Sequence, residues 1–121
     1  MSEGNSKMVI VCNNDSVGVM PTMIFGASGV AIGDDILIFF CPAGSKALLK
    51  GELEKFRGKK GLPDPVELYD TILEEGGRII LCELALENRD IKVEDLREGV
   101  EIMNAPKFLL EAQGAGLTFT F

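Results

Sequence analysis

Three cysteines are the residues of this 121-residue chain best suited to chemistry, because each one ends an apolar run: Met8 to Cys12, Ile36 to Cys41, and Arg78 to Cys82. If those runs are neighbouring strands of one parallel sheet, their carboxyl ends share an edge. Ligands in open α/β sheets bind in the crevice beyond that edge. A thiolate there can attack a sulfur donor and hold the sulfur as a persulfide, a covalent chemistry that needs no histidine. The chain has no histidine, which removes Ser-His and Cys-His nucleophile pairs and every His-ligated metal site.

The cysteines lie 29 and 41 positions apart, so a C-x-x-C redox motif or zinc knuckle is excluded. Three thiols gathered by the fold would still suit a soft metal, or a disulfide if the strand levels match. The alternative for each is a small buried hydrophobe. Cys82 differs from the other two because Glu83-Leu-Ala-Leu-Glu87 reads as a helical turn starting at once. Its free amides favour a thiolate, while the Glu83 carboxylate opposes one. The pocket neighbours expected around Cys82 are Cys12, Asn13, Cys41, Gly44 and Glu83, and no metal or cofactor is assigned. The segment after the first strand, Cys12-Asn-Asn-Asp-Ser16, lacks the glycines of a dinucleotide site, and no P-loop lysine follows Gly26-Ala-Ser-Gly29.

The elements that must position these residues are legible from periodicity. Met8–Val11, Ile36–Phe40 and Arg78–Leu81 are unbroken apolar strands of a sheet covered on both sides. Asn13 to Ser16 offers cap oxygens before a glycine-containing helix from Val17 to about Ile32, where each glycine costs about 1 kcal/mol against alanine. Burial must therefore hold that helix against the sheet or another subunit. Asp64-Pro65-Val66-Glu67 opens a helix whose buried stripe is Val66, Tyr69, Ile72 and Leu73. Leu84–Leu86 and Val93–Leu96 are short helical pieces, Ala105 to Gln113 is a longer one, and Leu117 to Phe121 alternates like a half-buried strand. Alternating strands and helices predict right-handed crossovers and an α/β fold.

Composition sets the outer limits. With 46% apolar residues and this length, one domain spanning 1–121 buries its own core, with residues 1–7 read as a disordered tail. The formal charge of -7 would repel a phosphate backbone, so no nucleic-acid partner is expected. No run reaches the roughly 20 apolar residues of a membrane span, so no membrane partner is expected either and the cytoplasm is the expected compartment. An odd, small number of cysteines agrees with reduced thiols. Six of the twelve basic residues lie between Lys46 and Lys60. That stretch reads as a solvated, mobile loop, with docking of an acidic partner or anionic substrate as the alternative.

From Leu62 to Phe121 the chain resembles the DsrE/DsrF-like sulfur-relay family, which includes the TusD-type sulfurtransferase subunits. The resemblance rests on an ordered set: a helix leading into Gly-Arg-Ile-Ile-Leu-Cys82, a short helix reaching Asn88-Arg-Asp-Ile91, then Val93 to Val100, the Ala105–Leu110 helix and the Leu117–Phe121 strand. The first half agrees through its first strand, long glycine-containing helix and Ile36–Phe40 strand. The resemblance implies a three-layer α/β/α sandwich with a mainly parallel sheet of about five strands, DsrEFH-like, assembling as a homo-oligomer (dimer, trimer or hexamer). It also implies a persulfide-carrying cysteine after the third strand, a position that Cys82 occupies, and a protein donor or acceptor of sulfur. Self-association is expected too from Phe119 and Phe121, which a lone subunit would hide poorly. The contrasting expectation is a non-catalytic binding module with a small-ligand or soft-metal pocket at the strand ends and inert thiols. A third is redox sensing, with Cys82 pairing to Cys12 or Cys41.

Overall fold

A computed structural model describes residues 6–121. The elements follow in the order β1 (Lys7–Cys12), α1 (Val19–Ala31), β2 (Asp35–Phe40), α2 (Pro65–Glu74), β3 (Arg78–Cys82), α3 (Leu84–Asn88), β4 (Val100–Met103), α4 (Ala105–Ala112) and β5 (Ala115–Thr120). The 3-10 helices Pro42–Leu48, Leu53–Phe56 and Val93–Asp95 fill the connections. The strands form one sheet in the order β4-β3-β2-β1-β5, and every pairing is parallel. No helix among the described residues is long and apolar enough to cross a membrane.

The sheet has two differently covered faces, which makes three layers. Met8, Ile10, Ile36, Ile38, Phe40, Ile79 and Leu81 pack with Val19 and Met23 of α1 and Tyr69 and Ile72 of α2. The alternate residues Val9, Leu37, Phe39 and Ile80 pack beneath Phe108 of α4. Side chains alternate between faces along a strand, so runs apolar at every position mark strands buried on both sides.

Gly26 shows why the glycine-containing helix is held despite its weak propensity. A Cβ there would lie 2.8 Å from Ile38 Cδ1 and 2.9 Å from Ile72 Cδ1, so the bare backbone is what lets α1 approach both β2 and α2. The helix starts at Val19, two residues later than expected, because the Asn14 carboxamide accepts from Ser16 N at 2.8 Å and closes a turn before the helix. The second helix begins as its sequence requires: Asp64 accepts from Val66 N at 2.9 Å, and Pro65 takes the first helical position.

Four further findings differ from the sequence reading. Residues 1–5 of the expected tail lie outside the described residues, while Lys7 opens β1 opposite Asp35. The basic stretch is not a bare loop: Leu53–Phe56 is a 3-10 helix with Leu53 1% exposed in the core. β4 is the fifth strand of the expected sheet, but its position was not anticipated. Its four residues give only two turns of alternation at a sheet edge, too few to register as a strand. Phe119 and Phe121 are half-buried, with Phe25 edge-on to both rings at 4.9 and 5.1 Å. They are therefore not the bare apolar surface given as a reason for self-association.

Candidate functional site

Strand register brings the three cysteines to one end of the sheet. Cys12 pairs with Phe40 across β1 and β2, and Phe40 pairs with Leu81 across β2 and β3. One step further along, Cys41 flanks Cys82. The extended backbone of Cys41 (φ −73°, ψ 167°) continues the ladder past β2, its amide donating to the Cys12 carbonyl at 3.0 Å.

Alternation then separates the thiols. Cys82 lies among Val9, Leu37, Phe39, Ile80, Met103 and Phe108, and Cys41 sits at the margin of the same cluster. Cys12 belongs to the opposite face, packed with the residues beneath α1 and α2. The sheet thus joins Cys41 and Cys82 and sets Cys12 apart.

Burial grades the three. Cys12 is 0% exposed, and its Sγ donates to the Asn14 carbonyl at 3.3 Å. Burial is the main cause that pushes its thiol up. Cys82 is 4% exposed, whereas Cys41 is only half-buried. Burial raises the Cys41 thiol, and the neighbouring Cys82 and Cys12 thiols raise it further. None of the three is in a disulfide.

A cleft of about 600 Å³ is lined by Pro42, Glu83, Leu84, Glu87 and Asn88, and by neither cysteine. Pro42 directly follows Cys41, and Glu83 directly follows Cys82. Glu83 holds the N-cap position of α3, its amide donating to the Met103 carbonyl at 3.0 Å and its side chain exposed toward solvent. The remaining expected neighbours fall elsewhere. Asn13 is exposed with its amide donating to the Phe121 carbonyl at 2.7 Å, and Gly44 is pressed on the Cys12 backbone, where a Cβ would lie 2.5 Å from the Cys12 oxygen. Among the described residues no group of three Cys, Asp or Glu side chains is placed to hold a metal ion. A more apolar cleft of about 510 Å³, lined by residues such as Met20, Phe25, Phe56 and Leu62, lies against α1 on the far face and away from the thiol pair.

Pro42, Leu84, Glu87 and Asn88 were not singled out from sequence as site residues. The strand-end argument that found the cysteines, carried one residue further, finds Pro42. Leu84, Glu87 and Asn88 follow only once α3 is known to fold back beside β3. Met103 and Phe108, which cover Cys82, had no address without β4.

The cover is clamped from three sides. Asn104 caps α4 by accepting from Lys107 N at 2.8 Å. Lys7 Nζ donates to the Glu111 and Gln113 carbonyls at 2.7 and 2.8 Å, satisfying acceptors that a helix end leaves open. Arg78 makes a two-pronged contact with Glu101 (2.9 and 2.8 Å) and a third bond to Glu111 at 3.0 Å. That guanidinium holds the Glu101 carboxyl below its ordinary range, and both carboxylates raise Arg78.

Comparison with known proteins places this fold in a wider set. The sequence profile of the DsrE/DsrF-like family matches residues 9–119. The uncharacterized protein MJ0760 of Methanocaldococcus jannaschii is 39% identical over 72 residues, 60% of this chain. The match spans about a quarter (26%) of that relative's length. The crystal structure of the E. coli ychN protein superposes with a TM-score of 0.71 at 20% identity, covering 96% of this chain and 99% of that one. A protein of unknown function, MTH1491 from Methanobacterium thermoautotrophicum, gives a TM-score of 0.69 at 14% identity, covering 95% and 97%. At those identities the likeness is one of fold.

Proposed function

Because the chain belongs to the DsrE/DsrF-like family, we propose that it accepts sulfane sulfur as a persulfide on Cys82 and passes it to the thiol of a partner protein. The observation that carries this reading is that Cys41 and Cys82 pack in one cluster on one face, just past the Phe40–Leu81 pair at the carboxyl ends of two central strands. In the loading step the Cys82 thiol gives up its proton and Sγ attacks the outer sulfur of a persulfide donor. A bond forms from Sγ to that sulfur, the donor's own sulfur–sulfur bond breaks, and the electron pair leaves with the donor as a thiolate. Unloading repeats the exchange with an acceptor thiol. No histidine or external oxidant takes part.

The reading includes a protein donor or acceptor and assembly with further copies of the chain. It is supported by the exposed Leu84 at the cleft rim and the exposed Leu109 and Leu110 on α4. Free thiols at the site call for a reducing compartment, so the reading places the protein in the cytoplasm.

The test is mass spectrometry of the reduced protein after incubation with glutathione persulfide. A 32 Da adduct on Cys82, absent from Cys82→Ser, is the expected result. An adduct that never reaches Cys82 overturns the assignment.

One observation favours a second reading, a binding module with inert thiols: Cys82 is only 4% exposed. That module predicts that Cys82 in the folded protein resists iodoacetamide as completely as Cys12. Faster alkylation of Cys82 than of Cys12 excludes it.

A further inference from the structure

Resting on that reading, we infer that Cys41 is the entry and exit thiol of the site: sulfur reaches Cys82 by way of a transient persulfide on Cys41 and leaves by the same route. The argument begins with access. Sulfur exchange requires the incoming sulfur to come within bonding distance along the axis of the bond being broken, and a sulfur–sulfur bond is only about 2.0 Å long. Cys82 at 4% exposure, covered by Met103 and Phe108, offers a donor carried on another molecule little surface to approach. Cys41 lies at the rim of the same apolar cluster and keeps part of its surface in solvent, with Pro42 leading from it into the cleft.

The second step is reach. Neighbouring strands lie about 4.8 Å apart, and residues side by side on one face fall within the Cα separation, about 4.4–6.8 Å, over which two cysteine sulfurs can meet. Cys41 follows Phe40, and Phe40 pairs with Leu81, which precedes Cys82. Both side chains join the same cluster. Cys12 is excluded because the sheet itself stands between it and Cys82.

The chemistry balances without any added reagent. A donor persulfide and the Cys41 thiol exchange to give the Cys41 persulfide and a donor thiol. The Cys82 thiol then attacks the outer sulfur on Cys41. A bond forms from Cys82 Sγ to that sulfur and the bond from Cys41 Sγ to it breaks. The electron pair returns to Cys41 Sγ, which takes up the proton that Cys82 released. The oxidation level of the travelling sulfur is unchanged, and the apolar cover shields the loaded Cys82 from thiols in solution.

The experiment uses the whole chain with glutathione persulfide as donor, quenched at intervals with iodoacetamide and cleaved at aspartate. Asp15, Asp34 and Asp35 separate Cys12 from Cys41, and Asp64 and Asp70 separate Cys41 from Cys82, so each thiol is read on its own peptide. In the unaltered protein the 32 Da label appears on Cys41 before Cys82. Cys82→Ser accumulates label on Cys41, and Cys41→Ser slows labelling of Cys82 at least tenfold with an unchanged circular dichroism spectrum. The order of labelling in the unaltered protein keeps the test sharp even if a variant folds badly. Label arriving on Cys82 first, or at an unchanged rate in Cys41→Ser, overturns the relay while leaving Cys82 as carrier. Formation of a Cys41–Cys82 disulfide with release of hydrosulfide, in place of label transfer, also overturns it. Label that never reaches Cys82 in the unaltered protein overturns the carrier assignment itself.

Discussion

Phe108 stacks on Phe39 with ring centroids 4.2 Å apart and planes inclined by 19°. This contact seats α4 on the sheet directly over the face that holds Cys82. Phe108→Ala therefore removes both packing and cover. The expected cost is roughly 3–5 kcal/mol of stability, the usual range for a buried phenylalanine. Denaturant unfolding checks that figure, and the rate of iodoacetamide reaction at Cys82 is expected to rise in the same variant.

Gly26→Ala sets two magnitudes against each other. Alanine gains about 1 kcal/mol of helix propensity over glycine. Its Cβ would meet Ile38 and Ile72 at 2.8 and 2.9 Å, and overpacking a filled core costs roughly 1–3 kcal/mol. Steric cost is expected to win, so the variant melts below the parent in a thermal scan. A higher melting temperature would show that the two isoleucines simply turn aside.

Alkylation at Cys41 is expected to climb with pH beyond the ordinary thiol range. Burial and the two neighbouring thiols both favour its protonated form. The thiolate is the nucleophile, so a raised value moves the inflection of the rate profile to higher pH. Stopped reactions between pH 7 and 10.5 test this, and an inflection below that of free cysteine contradicts it.

Acid should loosen the cover before it unfolds an equivalent uncharged pair. The Glu101 carboxyl is lowered in the folded protein by its hydrogen bonds to Arg78. A depressed carboxyl contributes stability that is complete above its unfolded value, near 4.5, and is lost as pH falls through the lower folded value. Glu101→Gln is expected to flatten the acid limb of the stability profile below about pH 5. The loss at neutral pH should be small because the pair is partly exposed.

Glu83 and Glu87 place two carboxylates at the cleft through which the proposed reading brings an anionic donor. Replacing both with glutamine is expected to speed labelling by thiosulfate or glutathione persulfide several-fold at low salt, an advantage that shrinks as salt screens the charges. Equal rates at 10 and 300 mM salt in both proteins would show that the donor enters elsewhere.

The first three strands were legible because residues such as Val9, Ile38 and Ile80 are apolar on both faces of their strands, a pattern that only a doubly covered sheet explains. Asp64 and Pro65 likewise fixed the start of α2 through local chemistry. Which cysteine faces which way was not legible, because the register between β1, β2 and β3 depends on how α1 and α2 pack and not on any residue near the thiols. Leu53 was hidden for a different reason: one core anchor among Lys50, Glu52, Glu54 and Lys55 leaves no apolar period to detect. Val100–Met103 took its strand conformation from pairing with β3, a long-range cause that a window of four residues does not contain.

The placement of β1 between β2 and β5 has a kinetic consequence. Its ladder with β2 joins segments about thirty residues apart, while its ladder with β5 joins Lys7 to Ala115 and Val11 to Thr120, a far larger separation along the sequence. Closing so large a loop is entropically costly and slows the search for native pairings. A nascent chain leaving the ribosome can assemble β1, β2 and β3 early, yet it leaves one rim of β1 unzipped until the final strand emerges.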